Sequence, residues 1–242
     1  MGMKASNAIA TFFKYFVLIL VGLIMIYPLL WMISATFKDN SEIFAGISLW
    51  IKNPTLDGYK NALNNFGGSI NILQAMLNTY SYVLPKVICT VVSSCIAAYG
   101  FGRFDFPGRK ILFSIMLATL FLPQVVLNVP QFLLYTKFGW VNSPFYLAIW
   151  VHCAFATETY FVYQLVQFMW SCNDFMGPLL YVQTPAKYPM SLFVKLSMDG
   201  DTGFAWNRIL ALSLISILPQ LIVFFCAQDQ FVEGISAGAV KG

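Results

Sequence analysis

The chain has 242 residues, of which 59% are hydrophobic and only 10% are charged. Soluble domains usually carry about 25% charged residues, so this composition excludes an ordinary soluble globular protein and indicates that lipid surrounds the chain. The net charge of +4 is spread along the sequence without a run of Lys or Arg, and no nucleic-acid partner is therefore expected.

Apolar segments long enough to cross a membrane follow one another along the chain. A transmembrane helix needs about 20 mostly apolar residues, and the first run, residues 10–36, is too long for the core of a signal peptide. By this rule we predict an all-α membrane protein, a polytopic helical bundle that forms a single transmembrane domain over residues 1–242. Its six spans are placed near residues 12–36, 78–100, 111–135, 143–164, 165–183 and 206–231.

The polar segments between the spans predict the orientation. Residues 37–77 form the longest polar stretch, and we predict a partly helical extramembrane segment there. The tightest basic cluster is FGRFDFPGRK at residues 101–110, which contains Arg103, Arg109 and Lys110. Because short cytoplasmic loops are enriched in Lys and Arg, we predict that this loop is cytoplasmic and that residues 37–77 are extracytoplasmic.

Few residues are candidates for chemistry. His152, Glu158 and Asp174 lie in or near apolar segments, where an ionisable side chain often marks a proton or substrate path. Two interpretations stay open, namely a proton relay and residues that are packed or lie near a span end. With one His in the chain, no catalytic constellation or metal site is expected, and no GxxxxGK[ST] loop is present to hold a nucleotide. We therefore predict that the chain is not an enzyme.

The cysteines are the remaining candidates for metal ligands or disulfides. They lie in apolar segments at irregular spacing, unlike a zinc site or a disulfide framework. We expect all five to be small buried hydrophobic residues: Cys89, Cys95, Cys153, Cys172 and Cys226.

Four stretches of the sequence together resemble a known family. They are AAYGFGRFDFPGRK (97–110), LPQVVLNVPQFLLYTKFGWVNS (122–143), WSCNDFMGPLLY (170–181) and FFCAQDQFVEGISAGAVKG (224–242). In this order they resemble the inner-membrane permease subunit of binding-protein-dependent ABC sugar importers of the maltose-permease type. The resemblance implies a multi-pass protein of the bacterial plasma membrane that helps to import a sugar, with oligosaccharides the expected class.

The same resemblance implies the partners. A permease of this family spans the membrane six times with both termini in the cytoplasm. It pairs with a second homologous permease subunit, two ATPase subunits and an extracytoplasmic sugar-binding protein. ATP would be bound by the partner ATPases, so no cofactor is expected in this chain.

The resemblance also implies roles for particular residues. Trp170, Asn173 and Asp174 are expected along the substrate pathway, where an aromatic face can stack on a sugar ring and polar groups can meet its hydroxyls. The alternative is that Trp170 packs between helices and Asp174 lies at the outer interface. Residues 232–242 are expected to form a cytoplasmic tail that reaches between the ATPases, with a solvated terminus as the alternative. The tail residues implied are Glu233, Gly234, Gly238 and Lys241.

One segment of the family has no counterpart in this sequence. Family members carry a cytoplasmic coupling helix between spans four and five, which docks on the ATPase. Here residues 143–183 hold only two spans of about 20 residues with nothing left for a turn, although helix connections usually take about 2–8 residues. Three interpretations stay open: an internal deletion, residues left out of the sequence, or one longer helix. The second predicts a spatial break near residues 163–169.

The missing segment also suggests a second function. A chain without the docking helix could assemble with the partners and yet not be driven by them. We therefore keep a non-transporting, vestigial or regulatory membrane subunit as the alternative to a transporting permease.

Overall fold

The computed structural model describes residues 2–64, 70–119, 121, 124–142, 161–198 and 205–239. These residues form helices and connecting loops, which confirms the all-α prediction. The helices are α1 (Gly2–Thr36), α2 (Asn40–Ile43), α3 (Asp57–Leu63), α4 (Ile72–Arg103), α5 (Arg109–Thr119), α6 (Gln124–Lys137), α7 (Phe161–Cys172), α8 (Met176–Tyr181), a 3₁₀ turn (Pro185–Lys187), α9 (Met190–Met198) and α10 (Trp206–Ala239).

Three described helices are long and apolar enough to cross a membrane. They contain the segments Ala10–Thr36, Ile72–Arg103 and Trp206–Asp229. These segments confirm the apolar helices expected for the first, second and last spans. The count of six spans stays a prediction, since the region of the fourth span lies largely outside the described residues.

The predicted span at residues 111–135 is not one helix. The structure has α5 and α6 in its place, and the N–H of Phe121 donates to the carbonyl of Ala118 over 3.2 Å in a turn that follows α5. The sequence contains a reason, because Pro123 disfavours the α conformation at the residue before it. Residues 111–135 are therefore divided between two helices, and their role as one membrane span stays a prediction.

The junction expected between spans four and five lies inside a helix. Helix α7 runs without interruption from Phe161 to Cys172, so the spatial break expected near residues 163–169 is absent and that prediction was wrong. The helix ends instead at Cys172, and the next helix, α8, begins at Met176. This interruption also argues against one long helix over residues 143–183. The span near residues 165–183 stays a prediction.

The chain divides into two compact units. Unit 1 contains Met1–Asn64 and Met198–Ile215, and unit 2 contains Asn65–Ser197 and Ser216–Gly242. In unit 1 the backbones of three helices meet at Gly58 of α3. A Cβ atom there would lie 2.8 Å from the carbonyl oxygen of Asn207 and 3.0 Å from that of Thr36. Only glycine permits this approach, and the Phe37 and Tyr59 rings pack beside it with centroids 5.3 Å apart.

Unit 2 has its core between α4 and α7. The buried cluster consists of Tyr82, Val83, Phe168 and Cys172, with Val223 of α10 packed against it. Of the described cysteines only Cys172 is buried, whereas Cys95 and Cys226 are exposed. The prediction that the cysteines are buried was wrong for these two. The physical reason is that an apolar residue on a membrane helix can face lipid, which is as apolar as a protein core. Cys153 lies outside the described residues.

Candidate functional site

The interruption between α7 and α8 is built from residues 173–175. The N–H of Asn173 donates to the carbonyl of Trp170 over 3.1 Å, which closes the end of α7. One carboxylate oxygen of Asp174 accepts the N–H of Gly177 over 3.1 Å. The first N–H groups of a helix have no partner within it, and a side-chain oxygen placed just before the helix satisfies one of them. Asp174 thus fixes the start of α8.

Gly177 leaves room for this cap. A Cβ atom at residue 177 would lie 2.5 Å from Oδ2 of Asp174, so the Asp174 carboxylate would have to shift. The backbone carbonyl of Asp174 in turn accepts the hydroxyl of Ser191 over 2.8 Å, which ties the interruption to α9. Asp174 is therefore a structural cap in this state of the protein, and its side chain is held rather than free to move.

Asn173 reaches across to the last helix. Its Nδ2 donates to Oε1 of Gln220 over 2.8 Å and to the carbonyl of Met169 over 2.9 Å. Gln220 lies on α10 and is only 4% exposed. An amide buried among apolar residues costs free energy unless it is hydrogen-bonded, so the two side chains stabilise each other. Gln220 was not predicted from the sequence, although a glutamine beside Pro219 within an apolar span was a visible signal.

A small open cleft lies beside this amide pair. Its cavity volume is only about 10 Å³, far below the roughly 300–1,000 Å³ of typical ligand sites. Trp170 is 64% exposed and is not part of its lining. The structure therefore brings Asn173 to the cleft through Gln220 and leaves Trp170 outside it. The lining residues are Met76, Thr79, Tyr80, Cys172, Met190, Ser216 and Gln220.

The loop after α8 is bound to the start of α4. Nδ2 of Asn78 donates to the carbonyls of Ala186 and Tyr188 over 2.9 and 3.0 Å. The hydroxyl of Thr79 accepts the N–H of Met190 over 2.9 Å. These two α4 residues were also not predicted, because their partners lie more than a hundred residues away and no local pattern marks the pairing.

The basic loop at residues 101–110 forms a tight turn between α4 and α5. Arg103 ends α4, while Arg109 and Lys110 begin α5. Arg109 pairs with Asp105 on the protein surface, and Gly108 adopts a positive φ of 86°, which glycine permits at no steric cost. The cytoplasmic position of this loop stays a prediction.

The remaining candidates are only partly described. Helix α10 continues to Ala239, so Glu233, Gly234 and Gly238 of the expected tail lie on a helix. Lys241, His152 and Glu158 lie outside the described residues. Among the residues that the structure describes, no group of three His, Cys, Asp or Glu side chains could hold a metal ion.

Comparison with known proteins gives several relatives over most of the chain, although no protein-family model matches it. The diacetylchitobiose uptake system permease protein NgcG of Streptomyces coelicolor is 30% identical over 266 residues, covering 93% of this chain and 87% of the relative. The galactooligosaccharides transport system permease protein GanQ of Bacillus subtilis is 24% identical over 283 residues, covering 99% of each. The trehalose/maltose transport system permease protein MalG of Thermococcus litoralis is 24% identical, covering 93% and 94%.

A solved structure shares the fold. It is a bacterial ABC transporter involved in the import of the acidic polysaccharide alginate. The similarity has a TM-score of 0.68 at 15% sequence identity and covers 93% of this chain and 98% of the other.

Proposed function

Because this chain belongs to the family of permease subunits of ABC sugar importers, we propose that it lines half of the pathway of an oligosaccharide. The observation that carries the proposal is the 30% identity to the diacetylchitobiose permease over nearly the whole chain. As such a subunit the protein is an integral inner-membrane protein and not an enzyme, and ATP hydrolysis belongs to its partners. The names of the relatives support a small oligosaccharide as the substrate class.

Membership of this family indicates the kinds of partner, and we propose how many of each the importer contains. Like its relatives, the subunit works with ATPase and sugar-binding-protein partners. We propose that the complete importer contains a second homologous permease, two ATPase subunits and one extracytoplasmic binding protein. We also propose that this chain holds no cofactor of its own, since no nucleotide-binding loop is present in the sequence.

The pathway residues that we propose are Trp170, Asn173 and Asp174, with Gln220 added from the structure. Broken membrane helices commonly form substrate sites, since their irregular backbone is tolerated where it lines a cavity. The interruption at residues 173–175 and the amide pair between Asn173 and Gln220 support this position. Trp170 supports it through its side chain, which is 64% exposed and aromatic, as stacking on a sugar ring requires.

The length of the relatives supports a missing segment in this chain. The alignment with GanQ runs over 283 residues, whereas this chain has 242, so at least 41 positions of that relative (283 − 242) have no counterpart here. We propose that the coupling helix is among them. Force from the ATPases would then have to enter through another contact, for which the loop at residues 101–110 and the tail at residues 232–242 are the candidates.

The test is reconstitution of the purified importer in lipid vesicles. Uptake of radiolabelled diacetylchitobiose and maltose is measured beside ATP hydrolysis, with a hydrolysis-deficient ATPase as the control. Uptake that depends on both ATP and this chain supports the proposal. An assembled complex that hydrolyses ATP without taking up any oligosaccharide tested would contradict it and would favour a non-transporting subunit.

A further inference from the structure

The residues after α2 fold back along α1. We name Phe44–Ile51 the fold-back segment. Three successive backbone carbonyls of this segment, those of residues 47, 48 and 49, each accept a hydrogen bond from a side chain. The pairs are Tyr27 Oη with Ile47, Lys38 Nζ with Ser48, and Ser34 Oγ with Leu49 at 2.7 Å. Three carbonyls of the loop are thus hydrogen-bonded within the protein.

The side chains of the fold-back segment show the opposite pattern. Phe44, Ile47 and Trp50 are 65%, 76% and 79% exposed, whereas Lys38 is only 2% exposed. A loop in water would be expected to bury apolar side chains and leave its carbonyls and a lysine to the solvent. Here apolar side chains point outward, and three successive carbonyls are bonded inward. This arrangement suits the edge of the bilayer, where irregular backbone is favoured when its polar groups are paired within the protein.

The positions of the hydrogen-bond donors along α1 indicate how deep in the bilayer the fold-back segment lies. Tyr27 and Ser34 belong to the apolar segment Ala10–Thr36, whose 27 residues extend about 40 Å at 1.5 Å per residue. This exceeds the roughly 30 Å of bilayer hydrocarbon by about 10 Å, so each end of the segment lies near a headgroup boundary. The fold-back segment is bonded to the last three turns of this helix. Its exposed side chains therefore lie at the level where lipid tails meet headgroups.

We propose that the fold-back segment is a membrane-inserted anchor, in which Phe44, Ile47 and Trp50 contact the interfacial region of the bilayer beside the end of α1. None of the apolar window of α1 is buried within the chain, so the exposed patch continues an apolar surface long enough to cross a membrane. Tryptophan is enriched at this depth because its ring is apolar and its N–H can bond to water or headgroups. The exposed Lys52 that follows suits the headgroup side.

The test uses the complete importer in lipid vesicles, with the native cysteines replaced. A spin label is attached to Trp50→Cys, and its relaxation by lipid-soluble oxygen and by a water-soluble nickel chelate is compared. Two matched positions calibrate the measurement: Ile24→Cys, an exposed position on the span, and Lys60→Cys, an exposed position on α3. We expect the Trp50→Cys label to resemble Ile24→Cys, with oxygen relaxation dominant.

Two outcomes would contradict the proposal that the fold-back segment is a membrane anchor. A label relaxed mainly by nickel, as at Lys60→Cys, would place the segment in water, and a label reached by neither agent would mean that a protein partner covers it. The measurement is repeated with Ile47→Cys, so that poor folding of one variant does not decide the result. Because uptake is measured on the same vesicles, loss of the anchor and failure of the proposed transport function can be distinguished.

Discussion

Two regions of the molecule leave regular helix beside a long apolar helix, and they satisfy their backbone differently. In the fold-back segment the donors Tyr27, Ser34 and Lys38 come from 20, 15 and 10 residues away. The interruption between α7 and α8 is held by Gln220, 47 residues from Asn173, and the loop that follows it by Asn78, more than 100 residues from its partners. In the first region, residues nearby in sequence supply the hydrogen-bond donors. In the second region, the partners come together only when unit 2 folds.

Gly58→Val is expected to have the largest effect, because three backbones of unit 1, the unit that contains the fold-back segment, approach closely at Gly58. The new side chain would meet the carbonyls of Asn207 and Thr36, and overpacking of this kind costs about 1–3 kcal/mol or more. We expect a lower melting temperature of the detergent-solubilised protein, measured by size-exclusion chromatography after heating. Gly46→Val is the matched control, since a Cβ atom there meets nothing within 4 Å. Equal melting temperatures would contradict the tight approach.

Gln220→Leu tests the region that is assembled at long range. It breaks the hydrogen bond between Asn173 and Gln220 across the helices, and such interhelical bonds contribute about 1–2 kcal/mol in model membrane peptides. The double variant Asn173→Ala, Gln220→Leu should cost less than the sum of the single variants, since the two side chains interact. The same thermal assay applies, with Gln228→Leu on the exposed part of α10 as the control. Strict additivity would show that the amide pair contributes nothing.

Ser34→Ala should have a smaller effect, confined to the fold-back segment. It removes the donor to the carbonyl of Leu49, a loss of about 0.5–1.5 kcal/mol for a typical hydrogen bond. Looser attachment should speed tryptic cleavage after the exposed Lys52, measured by mass spectrometry. Ser81→Ala, which removes an exposed intrahelical bond on α4, should leave that cleavage rate unchanged. Faster cleavage in both variants would indicate a general effect.

The smallest effect concerns Asp39, which precedes α2. Hydrogen bonds from the hydroxyl and the N–H of Ser41 hold the pKa of the Asp39 carboxyl below its ordinary value. A lowered pKa in the folded state means that the stabilisation is present above the unfolded pKa and is lost as the pH falls through the folded one. We expect Ser41→Ala to raise the pKa of Asp39. The stabilisation from the ionised carboxyl would then be lost at a higher pH than in the unmodified protein. Carboxyl-carbon NMR of Asp39 would measure the shift, and an unchanged titration would contradict the role of Ser41.

Local patterns in the sequence were enough to predict part of the fold. The three long apolar helices follow from composition and length alone, because a long apolar helix is stable in lipid whatever it packs against. The helix end at Cys172 was not predicted, although the polar Asn173 and Asp174 were singled out. Their roles as amide partner and helix cap depend on Gln220 and Gly177, and the first of these is brought near only by packing.

The contrast between local patterns and contacts formed by packing also explains why the spatial break expected at residues 163–169 was wrong. The expected break rested on counting residues for two spans of standard length. The chain instead places its interruption at residues 173–175, where side chains exist to satisfy the freed backbone groups. Helix boundaries in a membrane protein follow the available hydrogen-bond partners more closely than they follow the length of an apolar run.

The cap that joins Asp174 to Gly177 has an evolutionary consequence. A Cβ atom at residue 177 would require the carboxylate that caps α8 to shift, so replacing the glycine weakens the cap. A lineage that has lost the acid has no such constraint on the glycine. Substitutions at these two positions, three residues apart, are therefore expected to be correlated.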